Sequence, residues 1–160
     1  MSIAFLTIFH TTVSLVAIAA GLVVVLGMLG ARRLPRLTAL FLLTTVATSA
    51  TGFLFPFTRF GQGHVIGALS LVVLVPTLLA LYRFRLAGPW RWIYVTGAVT
   101  ALWLNVVVGI AQLFGRVAFL HALAPSQSEP PFRMTQIVVL GLFIVLGVFA
   151  VRRFHPAATS

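Results

Sequence analysis

Cysteine, lysine and aspartate are all missing from this 160-residue chain, and glutamate occurs once, as Glu129. Without cysteine there is no disulfide framework, no thiol redox chemistry, no iron–sulfur cluster and no thiolate zinc site. Without aspartate a Ser–His–Asp nucleophile system is out of reach, and the residues argue against an enzyme. Cation-coupled carriers place acidic residues at mid-membrane, and none stands there. No glycine-rich phosphate loop is present, and charged residues make up only 8% of the chain. Soluble domains carry roughly a quarter.

What is there is apolar. Hydrophobic residues account for 61%, and arginine supplies every positive side chain of a formal charge of +10. Those arginines sit in short groups between apolar runs, as topology signals do. A nucleic-acid binder would gather them on one soluble face, so nucleic acid is not an expected partner. The sequence predicts an all-α integral membrane bundle, residues 1–160 forming one transmembrane domain of five spans. They are expected at about 3–30, 37–57, 64–82, 90–115 and 132–151, by length and apolarity.

Local signals support these limits. The first span is preceded by no positive n-region, so it reads as a retained helix rather than a cleaved leader. The second ends at Pro56, and its small residues Thr48 and Gly52 suit close helix–helix approach. Pro76 predicts a kink in the third. Trp90-Arg91-Trp92-Ile93-Tyr94 opens the fourth with an interfacial belt. The connection from Arg116 to Pro131 is turn-rich, and the residues after Pro156 read as frayed.

Arginine placement predicts the orientation. Arg32, Arg33, Arg36, Arg83, Arg85, Arg91, Arg152 and Arg153 fall on one side of the five spans; Arg59, Arg116 and Arg133 fall on the other. The positive-inside rule then puts the N-terminus outside and the C-terminus in the cytoplasm.

This topology brings His10, His64, His121 and Glu129 to the outer face. On the fourth span Asn105, Gly109, Gln112 and Arg116 share one helical stripe, as do His10, Ser14, Ala17 and Gly21 on the first. Arg133 and Gln136 lie one turn apart on the last. Amides facing lipid are unfavourable, so a polar ligand-binding pocket is expected, lined by Asn105, Gln112, Arg116, Gln136, Arg133 and Ser14. His10 with His64 could ligate haem iron; the three histidines with Glu129 could hold a divalent metal. Beside these stand structural readings: amides as interhelical glue, histidines as headgroup-level or capping residues, and Glu129 as a helix N-terminal charge or a surface partner of Arg116 or Arg133.

The segments Thr51-Gly52-Phe53-Leu54-Phe55-Pro56, Gly63-His64-Val65-Ile66-Gly67, Arg91-Trp92-Ile93-Tyr94 and Leu120-His121 through Phe132 together resemble a family of small, uncharacterised bacterial multi-pass inner-membrane proteins. The resemblance runs from the second span to the end of the chain. It implies a bacterial inner (cytoplasmic) membrane location and brings no activity. Three functional readings follow. The first is a non-enzymatic accessory or assembly subunit of a larger membrane complex, with a polar pocket at its outer face. The second is a binder of haem, quinone or metal through the outer-face histidines. The third is a small transporter or channel component for an uncharged or anionic solute.

Overall fold

A computed structural model describes residues 2–55 and 62–155. The expected end of the second span at Pro56 and the outer-side Arg59 lie outside the described residues, as does the tail after His155. Among the described residues the chain is all helical: α1 Ile3–Leu29, α2 Pro35–Gly52, α3 Gln62–Leu78, α4 Trp90–Arg116, α5 Ala118–Leu123 and α6 Pro130–Arg153, with one π-helical turn, Leu79–Arg83, running on from α3.

Four helices are long and apolar enough to cross a membrane: Ile3–Leu29, Gly63–Arg83, Trp90–Arg116 and Pro130–Arg153. α2 is not among them. It is 18 residues long and carries Arg36 together with Thr38, Thr44, Thr45, Thr48, Ser49 and Thr51. Its hydroxyls are partly masked by bonding back to their own helix, Thr44 to Leu40 O at 2.7 Å and Thr51 to Ala47 O at 2.7 Å. Such back-bonding lets threonine sit in a helix buried among other helices.

Helix ends follow local chemistry. Ser2 caps α1, its hydroxyl accepting from the Phe5 N–H at 3.3 Å. α1 stops in a Schellman turn, with Arg32 N–H donating to Gly27 O and Ala31 N–H to Met28 O. Ala31 holds the left-handed position, φ 54°, that glycine usually fills. Pro35 starts α2 where its missing N–H costs nothing. Pro76 lies inside α3, and the helix widens into the π turn three residues later. Proline removes the bond to the carbonyl of Val72, one turn earlier, whereas the π turn ends with the Phe84 N–H donating to Leu79 O at 2.9 Å. α5 lies inside the stretch expected to be a plain connection.

α4 is the central helix. It packs on α1, α3 and α6, whereas α6 leans mainly on α4 and to a lesser degree on α1. Half of α4's apolar window is buried, against 11% for α6, so α6 is the peripheral span. The core gathers Val25, Met28, Phe41, Leu42, Leu74 and Leu102, all nearly inaccessible. α1 meets α2 and α4 at Gly21, where an added Cβ would come within 2.7 Å of Leu102 and 2.8 Å of Phe41. Gly97 does the same for α3 and α4, its face filled by Thr77.

Candidate functional site

The bundle has two chemically different ends. One holds the starts of α1, α3 and α6 with the ends of α2 and α4, and carries His10, His64, His121 and Glu129. The other holds the end of α1, the start of α2, the π turn, the start of α4 and the end of α6, and is rich in arginine.

At the histidine end the polar groups find partners on α2. His10 Nδ1 lies 2.9 Å from Thr51 Oγ1, and its ring meets Phe55 edge-on at 5.4 Å. Ser14 donates to His10 O at 2.8 Å and sits 3.4 Å from Thr48 Oγ1. Deeper in the bundle Asn105 Nδ2 donates to Thr45 Oγ1 at 3.0 Å, and both residues are buried. Thr45, Thr48 and Thr51 recur every three residues, so they share one face of α2. That face was expected only to offer small residues at Thr48 and Gly52; it supplies hydroxyls to both polar stripes.

The other expected pocket residues do not gather around Asn105. Gln112, Arg116 and Arg133 are exposed. Gln136 Nε2 donates to Val107 O at 3.2 Å, a local tie between α6 and α4, while its Oε1 is buried without a hydrogen-bond partner. Gln127, at φ 55°, reaches back to Ala111 O at 2.8 Å. It packs beside Gly115, where an added Cβ would stand 3.3 Å from its Nε2.

The histidines are spread. His64 lies against Phe53, ring centroids 5.9 Å apart, so His10 and His64 flank the same end of α2 from two helices. His121 is exposed on α5. Among the described residues no three or more His, Cys, Asp or Glu come together as a metal-binding group. Glu129 stands at the N-cap of α6 but turns away from the helix. Its Oε1 accepts from the Ser126 N–H at 3.1 Å and the Ser126 hydroxyl at 2.8 Å, and its Oε2 from the Ser128 N–H at 3.0 Å. Desolvation pushes its pKa upward, but these bonds to the charged form outweigh it and hold the carboxyl below its ordinary value.

Two cavities stand out, and neither is lined by the expected residues. A cleft of 410 Å³ runs between α4 and α6, bounded by Thr100, Trp103, Phe143, Gly147 and Val151 among others. The Trp103 indole N–H beside it is buried without an acceptor. At the arginine end a larger cavity of 990 Å³ is lined by Arg32, Arg33, Arg85 and Arg91 over an apolar floor that includes Val24, Met28 and Leu86. Arg91 is already engaged: its Nη1 donates to Val151 O at 2.9 Å and Phe154 O at 2.7 Å, capping α6. These arginines read from sequence as topology anchors alone. Their convergence could have been anticipated only by noticing that two basic turns, Arg32-Arg33 and Arg83–Arg85, end up side by side.

No family model matches the chain, and no curated protein or solved structure matches it either.

Proposed function

We propose that this protein is a small, non-enzymatic accessory or assembly subunit of a larger complex in a bacterial inner membrane. It spans five times, with the N-terminus outside and the arginine end in the cytoplasm. The observation that carries the reading is α6. It is a 24-residue apolar helix, yet only Phe143 and Ala150 along it are buried. A membrane helix held so loosely by its own bundle offers a whole face to another protein, and the cleft beside α4 gives that face relief. The resemblance to small bacterial multi-pass proteins agrees with this setting. α2 completes the five-span count: at about 1.5 Å per residue its 18 residues reach roughly 27 Å, close to the thickness of the hydrocarbon core. In this reading the polar groups of α1, α2 and α4 join helices to one another.

Two measurements test it. A photo-reactive side chain placed at Ile144 or Val145, both on the exposed face of α6, should give one adduct of fixed mass in native membranes. The same probe at Val72, exposed on α3, should give lipid adducts only. Lipid adducts alone from α6 would sink the subunit reading. Because the chain has no cysteine, single substitutions report the orientation directly. Ser126→Cys should react with an impermeant thiol reagent in intact spheroplasts and Ala87→Cys only after lysis; the reverse pattern would invert the topology.

A further inference from the structure

The arginine-end cavity has a feature that topology signalling does not require. Arg32 and Arg33 approach it from the α1–α2 turn and Arg85 from the turn before α4. Ala31, at φ 54°, closes the Schellman turn of α1, and the second turn holds Arg85 at φ 48° and Leu86 at φ 63°. Non-glycine residues kept in the left-handed region concentrate at ligand clamps and switches. Arg36, in the first turn of α2, and Arg83, at the end of the π turn, do not line the cavity.

Charge balance then points outward. Glu129 is the only carboxylate side chain, and it stands at the opposite end of α6, a helix of 24 residues and so roughly 36 Å long. No acidic side chain of the protein reaches these arginines. Guanidinium groups pair best with phosphate and carboxylate. Below them the walls turn apolar: on α1 the lining passes from Met28 to Val24, one turn and about 6 Å deeper. Thr38 and Tyr94 stand among the lining residues. A volume of 990 Å³ is at the upper end of the ~300–1,000 Å³ typical of small-molecule sites, far more than an inorganic anion fills.

We propose that this cavity is a binding site for an acidic phospholipid. Its phosphate is held by Arg32, Arg33 and Arg85, and its glycerol and upper acyl segments lie along Val24, Met28 and Leu86. The site does not rest on the accessory-subunit reading, since it shares no lining residue with the α4–α6 cleft.

The test is native mass spectrometry of the purified full-length protein in mild detergent, titrated with phosphatidylglycerol and, separately, with phosphatidylcholine. Phosphatidylglycerol should bind at least about tenfold more tightly. The preference should be lost in Arg33→Gln/Arg85→Gln and kept in Arg36→Gln/Arg83→Gln, which removes the same charge from the same end. Equal loss in both pairs would reduce the effect to surface charge and overturn the site. Equal binding of phosphatidylcholine would overturn it too. Displacement by millimolar inorganic phosphate would reassign the cavity to a soluble anion. Arg85→Gly guards against misfolding, because glycine accepts φ 48° without a steric penalty. That variant should melt no lower than the parent without lipid and lose the rise in melting temperature that phosphatidylglycerol gives. A full lipid-induced rise in Arg85→Gly would exclude Arg85 from the site.

Discussion

The seam that α1 and α4 make with α2 and the seam between α4 and α6 are built from similar apolar residues, yet they are finished differently. In the first, Gly21 lets Phe41 and Leu102 approach the α1 backbone, and each polar group described along it has a partner: His10 on Thr51, Ser14 near Thr48, Asn105 on Thr45. In the second, Gly147 makes only an ordinary contact, an added Cβ standing 3.5 Å from Val99, and the Gln136 carbonyl and Trp103 indole N–H are buried without partners. Lipid tails are as apolar as leucine, so burying apolar area does not by itself hold membrane helices together. Close approach and matched hydrogen bonds do. The first seam has both, and the second has little of either.

The sharpest way to break this contrast is to overfill both seams. Gly21→Val should destabilise the bundle by about 2–3 kcal/mol, read as a lower midpoint in thermal or SDS unfolding followed by helical ellipticity. Gly147→Val, whose added Cβ meets only an ordinary contact with Val99, should cost no more than about 1 kcal/mol. Equal effects would mean that the α4–α6 seam is as tight as the first. A smaller difference comes from the amides. Asn105→Leu should cost about 1 kcal/mol through the loss of its bond to Thr45. Gln136→Leu should cost less, since it gives up the bond to Val107 O but also removes a buried acceptor that has no donor. A larger loss from Gln136→Leu than from Asn105→Leu, in the same assay, would reverse the comparison.

Most of the helical framework was legible from apolar run length, with prolines and basic turns marking the breaks. Four runs proved long and apolar enough to span. The two elements missed, α5 and the π turn after Pro76, are a single short helix and a change of winding, and neither leaves a periodic trace. Asn105 is buried and Ser14 half-buried, each beside a threonine of α2, in keeping with the cost of exposing an amide or hydroxyl to lipid. Their partners were not foreseen, since Thr45, Thr48 and Thr51 look like small packing residues until their common face is set against α1 and α4. Gln112 and Arg116 share Asn105's stripe but are exposed near the end of α4, so angular position alone could not predict burial. The arginine cavity was hidden for a different reason: the positive-inside rule already accounted for every basic residue there. Convergence of two distant turns is a tertiary fact.

Arg91 has a consequence in time as well as in space. Its guanidinium serves carbonyls 60 and 63 residues further along the chain, so during synthesis α4 enters the membrane with that fork empty. The grip closes only when the end of α6 arrives, and α6 has little else to fasten it. Closure of the arginine end therefore reports that α6 has been delivered, as a clasp does when its second half is fitted.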